Sequence, residues 1–307
     1  MSLATANVPL ASPPALPGMG PYPCAALTGW VDLDFELPPG DVRLRAIDRG
    51  GPEPTPQFAN LVGARRVWND HPLWMDYLDP RSEIRATKLL ERDLYLHYWA
   101  QALFGVRRVL DLGGSIGRFS TWCLDGGMEV ELVDPDMCAI RRAVSHAAGR
   151  AGRFDAWWST GEELPDLAPV DAVIAAEVLN YVERPAVVLE RLRRVLKPGG
   201  PLLLSVEARW GWPLAGDAPP GHLDQVGAEV LHVPGDRWVR TFDEAGLRHL
   251  LRDWTIELLV PTHYLMAGPF ELIAGEIDLH TALAAEARFR AHPVYAPLHR
   301  AWTVIAR

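Results

Sequence analysis

The chain has 307 residues, 49% of them hydrophobic, enough for one large core or two modest ones; no apolar run approaches the roughly 18 residues that a bilayer-crossing helix needs, which argues against a membrane protein. A formal charge of −9 at pH 7, with lysine only at Lys88 and Lys197, argues against nucleic acid and for a small or uncharged partner. Cys24, Cys123 and Cys138 are odd in number and lack CxxC spacing, so neither a disulfide framework nor a metal site is indicated, and the cytoplasm is the expected compartment.

In chain order, Met1 to Pro23 is rich in proline and alanine with no basic residue ahead of an apolar core, and reads as a loose arm and not as a secretory signal. Two alternating runs, Trp30 to Phe35 and Asp41 to Arg45, flank a Pro39-Gly40 turn and suggest a small hairpin. Residues 1–80 together read as a partly irregular extension that helps to cover a site, and 81–307 as the main domain. From Arg81 to Leu103 the apolar residues Ile84, Leu89, Leu90, Leu94, Tyr98 and Ala100 recur at helical spacing. That helix leads into Arg107 to Leu112, a short apolar run that reads as a central parallel strand. Gly113 and Gly117 lack a Cβ, so the backbone can turn sharply there and a polar ligand can approach the amides that open the next helix.

Beyond Gly117 helices and strands alternate. Arg118 to Leu124 is predicted helical, Glu129 to Val133 a strand, and Pro135 to Gly149 a helix with Pro135 in its first turn. Phe154 to Ser159 and Asp171 to Ala176 are predicted strands, Ala186 to Leu196 a helix stopped by Pro198-Gly199-Gly200, and Pro201 to Glu207 a further strand. The pattern predicts an α/β, doubly wound, mostly parallel sheet with ligands beyond the carboxyl ends of the strands, near Gly113, Asp134, Thr160, Glu177 and Glu207. The Pro- and Gly-rich stretch from Trp210 to Arg237 is long for a connection and reads as a lid or as a surface excursion anchored by tryptophans.

Five ordered stretches carry a family resemblance: Val109-Leu110-Asp111-Leu112-Gly113-Gly114-Ser115-Ile116-Gly117, Val133-Asp134-Pro135, Gly161-Glu162-Glu163-Leu164-Pro165, Glu177-Val178-Leu179-Asn180-Tyr181-Val182, and Arg194 to Gly200. From Arg107 to Glu207 the chain resembles the class I S-adenosylmethionine-dependent methyltransferases, in the style of their small-molecule branch. The resemblance implies a Rossmann-like seven-stranded sheet whose last strand, Trp302 to Ala306, runs antiparallel beside the sixth, Thr255 to Val260, and it implies S-adenosylmethionine as cofactor. Ser115 stands where the family has its middle glycine, and with Arg118 it also breaks the dinucleotide pattern G-x-G-x-x-G.

Each motif residue has a chemical and a plain structural reading. Asp134, about 20 residues past the glycines, is placed to accept both ribose hydroxyls, or to cap the helix after Pro135. Thr160, with Gly161 and Glu162, takes the place near the adenine, while Thr160 and Glu163 also form a capping box. Asp111 resembles the acid that orients the methionine end of the cofactor and can equally cap the turn. Gly113, Gly114, Ser115, Gly117, Pro135 and Glu177 complete the predicted cofactor set. Methyl transfer depends mostly on alignment, which can supply roughly 7–11 kcal/mol, so a base matters only where the acceptor must lose a proton. The predicted catalytic residues are Asn180 and Tyr181, where related enzymes often carry histidine, and His263, which follows a strand and has a side chain that titrates near neutrality. A core tyrosine and a capping histidine are the plain readings of the last two. His97 reads as packed or solvent-facing.

The expectation is a cytoplasmic methyltransferase acting on a small organic acceptor, possible in secondary metabolism, with no nucleic-acid or membrane partner and no indication of oligomeric state. Two rivals stay open: an enzyme that cleaves or cyclises the aminobutyrate part of the cofactor and releases methylthioadenosine, and a non-catalytic nucleoside-binding protein.

Overall fold

The computed structural model describes residues 42–46, 71–211, 224–232, 238–266 and 277–307. Its elements run in the order β1 (Val42–Ala46), α1 (Arg85–Trp99), β2 (Arg108–Leu112), α2 (Arg118–Asp125), β3 (Glu129–Asp134), α3 (Met137–Ala147), β4 (Phe154–Trp158), β5 (Ala172–Ala176), α4 (Pro185–Val195), β6 (Leu202–Glu207), β7 (Val230–His232), β8 (Trp238–Arg240), α5 (Glu244–Leu250), β9 (Ile256–Thr262), α6 (Leu279–Ala291) and β10 (Ala301–Ala306). One sheet has the order β1-β4-β3-β2-β5-β6-β10-β9, and only β10 runs antiparallel to its neighbours. The seven expected strands are all present, with the last lying between β6 and β9. The eighth comes from the N-terminal segment. Val42–Ala46 lies parallel to β4, Val42 opposite Phe154, and covers what would otherwise be the open edge of β4. The run from Trp30 to Phe35 lies outside the described residues.

Successive residues of a strand point to opposite faces, and here that alternation builds two apolar layers. Leu110, Leu112, Val173 and Leu204 face one side with α4 and α5, while Val109, Leu132, Ile174 and Leu203 face the other with α1, α2 and α3. Helix α1 is shorter than predicted, and its buried face is Leu90, Glu91, Leu94, Tyr95, Leu96 and Trp99, so Leu89, Tyr98 and Ala100 are not buried. That face carries a carboxylate into the protein. Helix α3 starts two residues later than predicted because Asp136 caps it, accepting from the Cys138 amide at 2.9 Å, which leaves Pro135 outside.

Between β9 and β10 the chain makes an excursion that strand periodicity does not announce. A 3-10 turn (Tyr264–Met266), α6 and a second turn (Ala296–Leu298) occupy it, and Leu265, Met266 and Ala282 pack on Leu90 and Leu94 of α1. Buried Glu286 of α6 accepts the amides of His263 (2.8 Å) and Leu265 (3.4 Å), which closes the turn beyond β9. Much of the predicted lid, 212–223 and 233–237, lies outside the described residues; the rest holds β7, which pairs antiparallel with β8 just beyond it. No helix among the described residues is long and apolar enough to cross a membrane.

Candidate active site

Strand β2 ends in a left-handed turn. Gly113 has φ +64°, and a Cβ there would lie 2.5 Å from a Val178 methyl; at Gly114 a Cβ would meet the Asp111 carboxylate at 2.8 Å. Any larger residue at either place would push the turn off the neighbouring strands. Ser115, in the place of the family's middle glycine, also has φ +49°, a conformation that a side chain disfavours. Its amide donates to Asp134 Oδ2 at 2.9 Å, so the carboxylate at the end of β3 helps to hold the strained turn at the end of β2. The departure from glycine therefore leaves the left-handed path of the turn in place.

The carboxyl ends of the strands surround a cavity of about 380 Å³, within the range of small-molecule sites. Val133, Asp134, Pro135, Thr160, Gly161 and Glu162 line it, as do Tyr77, Lys88, Arg118, Glu177, Tyr181 and Arg300. Asp111, Gly113, Gly114 and Ser115 also line it. A single helical turn, Pro72–Met75, brings Trp74, Met75 and Tyr77 over the cavity, so the end of the N-terminal extension forms part of its wall.

The wall is highly charged and mostly paired. On α1, buried Glu91 holds both Lys88 Nζ (3.0 Å) and Arg118 Nη1, and the Arg118 guanidinium also lies 5.0 Å over the Phe119 ring. Burial alone would raise the Glu91 carboxyl, but Lys88, Arg118, Arg300 and His263 outweigh it and hold the group well below the usual carboxylate range. Arg300, just before β10, pairs with buried Glu207 at 3.3 Å and donates to the Met266 carbonyl at 3.0 Å. Burial pushes Asp134 up to about 7, helped by the charge of Asp136 and opposed by amide hydrogen bonds from Asp136 and Ser115. Asp111 is pushed up to about 6 by burial, against hydrogen bonds from the Ser120 amide and hydroxyl to its Oδ2.

A family profile described as a methyltransferase domain matches residues 82–259. This chain belongs to the class I S-adenosylmethionine-dependent methyltransferase family. An uncharacterised methyltransferase of Mycobacterium tuberculosis is 36% identical over 113 residues, 34% of this chain and 43% of that one. A ubiquinone biosynthesis O-methyltransferase of Alkalilimnicola ehrlichii is 33% identical over 131 residues, 41% of this chain and 53% of that one. The chain thus spans about half the length of these curated relatives. The magnesium protoporphyrin IX methyltransferase of Synechocystis PCC 6803, solved with bound S-adenosylhomocysteine, shares the fold with a TM-score of 0.51 at 16% identity, over 80% of this chain and 98% of that one.

The cavity fits the family's cofactor, S-adenosylmethionine. Asp134, Val133, Pro135, Thr160, Gly161 and Glu162 all line it, and Lys88 and Arg118 bring two positive charges to one carboxylate there. Asp134 is not the cap of α3, a task that Asp136 performs, and Thr160 Oγ1 accepts the Glu163 amide (3.1 Å) with no helix following. Glu162 accepts the amides of Glu183 (3.2 Å) and Arg184 (3.4 Å), holding the start of α4 against the cavity wall. Gly117, at φ +88°, opens α2 and is not among the lining residues.

Two of the three predicted catalytic residues lie elsewhere. Asn180 is fully buried, and its Oδ1 accepts the Glu207 amide at 2.9 Å, so it ties the turn after β5 to β6. His263 is fully buried too; its Nδ1 contacts Thr262 Oγ1 (2.8 Å), its Nε2 contacts the Glu91 carbonyl (3.0 Å), and its ring lies 3.8 Å from that of Tyr95. Burial pushes the imidazole down to about 4, and with both nitrogens engaged it faces no acceptor as a general base. Tyr181 alone of the three lines the cavity. His97 is exposed on α1. Sequence reasoning missed Tyr77, Lys88, Arg118 and Arg300, although Arg118, a cation directly after the glycine turn, was a usable signal.

The segment that brings Trp74, Met75 and Tyr77 to the cavity is tied to α3. Asp76, 3% exposed, contacts His146 Nε2 at 2.7 Å and Arg142 Nε at 3.2 Å. Replacing Asp76 by alanine is expected to raise the Kd for S-adenosylhomocysteine about tenfold, since a charge-assisted hydrogen bond is worth roughly 1.5–3 kcal/mol and part of that holds this segment at the cavity. Calorimetry checks this; an unchanged Kd contradicts a role for this tie in binding.

Proposed function

We propose that this protein transfers the methyl group of S-adenosylmethionine to a small organic acceptor, in a biosynthetic reaction of secondary metabolism in the cytoplasm. The observation that carries the reading is that one cavity is lined both by the glycine turn, Asp134 and the Thr160 to Glu162 loop and by Tyr77, Tyr181 and Arg300. Asp134 holds the ribose hydroxyls. Thr160, Gly161 and Glu162 border the adenine with Val133 and Pro135. Asp111 and the Gly113 to Gly117 turn orient the methionine part, whose carboxylate Lys88 and Arg118 neutralise.

The bound cofactor supplies a methyl group already activated on a sulfonium, so the chain's task is alignment and exclusion of water. Trp74, Met75 and Tyr77 close the cavity from the N-terminal side, and Tyr181 bounds the acceptor's side. Cys123 and Cys138 are buried and unbridged, which fits a reducing compartment. The test is incubation with methyl-labelled cofactor and a cellular small-molecule extract. Label in a small organic product with matching S-adenosylhomocysteine supports the reading; methylthioadenosine as the nucleoside product, or no turnover with any extract, contradicts it.

A further inference from the structure

We propose that Glu177 accepts the proton of the acceptor, and that the acceptor is accordingly an amine, an N-heterocycle or a hydroxyl compound that directs an N–H or O–H toward this carboxylate. The inference rests on the reading that cofactor and acceptor share the cavity. Glu177 follows β5 directly and has φ +58°, in the left-handed region that a glutamate disfavours. Two bonds to β6 hold it there, since its amide donates to the Ser205 carbonyl and to Ser205 Oγ, both at 3.0 Å. Strain kept in this way at a cavity wall marks a side chain whose direction matters.

The carboxylate is aimed as well as strained. Oε1 accepts the Tyr95 hydroxyl at 2.9 Å, and Tyr95 is completely buried between the rings of Trp99 (4.9 Å) and His263 (3.8 Å). With one oxygen pinned to an immobile phenol, the place of the other is set. Oε2 makes no hydrogen bond among the described residues, and Glu177 lines the cavity. The cations of the same wall are engaged elsewhere: Lys88 and Arg118 by Glu91, and Arg300 by Glu207. None of them makes an ion pair with Glu177, and in the reading above the spare charge of Lys88 and Arg118 is taken by the methionine carboxylate of the cofactor, so an acidic acceptor would meet the Glu177 charge.

Two other titratable groups close to Glu177, His263 and Tyr77, are poor proton acceptors. His263 has both nitrogens engaged, and Tyr77 is held protonated by burial, pushed up to about 12. In the step itself, the acceptor's lone pair forms the bond to the methyl carbon, and the carbon–sulfur bond breaks with its electron pair going to sulfur. The heteroatom's proton passes to Glu177 Oε2 and then to solvent. The products are the methylated acceptor and S-adenosylhomocysteine.

The experiment titrates the full-length protein, saturated with S-adenosylhomocysteine, with benzylamine, phenol and phenylacetate. The wild type is expected to prefer benzylamine or phenol over phenylacetate by about tenfold or more, the scale of one charge-assisted hydrogen bond. The proposal moves Glu177 from the predicted cofactor set to the acceptor, so Glu177→Gln should abolish the preference while leaving the Kd for S-adenosylhomocysteine within about twofold. Tyr95→Phe, which removes the pin but keeps the carboxylate, should weaken the preference without affecting that Kd. The proposal is overturned by equal or better binding of phenylacetate, by no binding of any probe, by a preference that survives Glu177→Gln, or by a large loss of S-adenosylhomocysteine affinity in that variant, which would put the carboxylate on the cofactor's ammonium. A wild-type protein that fails to bind S-adenosylhomocysteine at all contradicts instead the underlying reading of the cavity.

Discussion

Replacing Glu91 by alanine is expected to destabilise the protein by about 3–5 kcal/mol, because breaking a buried ion pair from one side leaves an uncompensated charge. Glu91 is 1% exposed and is shared by Lys88 and Arg118. Lys88 can turn toward water, its side chain being 23% exposed, but Arg118 is 8% exposed and lies over the Phe119 and Tyr77 rings. A guanidinium cannot shed its proton to escape, so the full penalty stays in the folded state. Against a typical domain stability of about 5–15 kcal/mol this is a large fraction. The urea midpoint should fall with the slope unchanged, and adding Arg118→Met should recover much of the loss, since removing both charges costs less than stranding one. A loss below about 1 kcal/mol would show that the pair is solvated and the wall loosely built. The same carboxyl, held well below its usual range, contributes stability above the ordinary glutamate pKa that is lost as pH falls below it.

Replacing Asp134 by asparagine is expected to weaken S-adenosylhomocysteine binding by about 1.5–3 kcal/mol, or roughly 10- to 150-fold in Kd. Asp134 already accepts the amides of Ser115 and Asp136, and its remaining lone pairs face the cavity wall where a diol would donate. Because burial raises this carboxyl to about 7, the free protein carries a proton there below neutrality, and a ligand that donates hydrogen bonds must displace it. Affinity should therefore rise by up to roughly tenfold per pH unit as pH approaches 7 from below and level off above it. The folding sign is the reverse: with a raised carboxyl the native chain binds more protons than the unfolded one between about 4 and 7, so the Asp134 contribution to apo stability falls as pH rises through that window. In Asp134→Asn the pH slope of binding should vanish. A slope that persists would assign it to another group.

The parts of this molecule that follow local rules were legible before the fold was known. Short apolar runs between glycine- and proline-rich turns gave β2 to β6, and the ordered residues Asp111, Gly113, Asp134, Thr160 and Glu177 do meet around one cavity. What was not legible depends on contacts between distant segments. Arg300 reaches the cavity because the β9–β10 excursion folds back on α1, and no spacing near residue 300 announces it. His263 follows a strand, as the sequence predicts, but α1 and α6 bury it, so the position that brings it near the site also removes its access to the acceptor. Asn180 has its place in a motif, but its side-chain oxygen satisfies the backbone of β6. Glu91 shares the buried helix face of Leu90 and Leu94, and a carboxylate on such a face is itself the sign of a buried partner.

The central claim is that the cavity at the carboxyl ends of the strands takes the nucleoside of S-adenosylmethionine through Asp134. Calorimetric titration of the wild type and Asp134→Asn with S-adenosylhomocysteine tests it most directly. The account predicts one site per chain, displaced competitively by S-adenosylmethionine and weakened at least about tenfold in the variant. No binding to the wild type, or equal affinity in the two proteins, would contradict it.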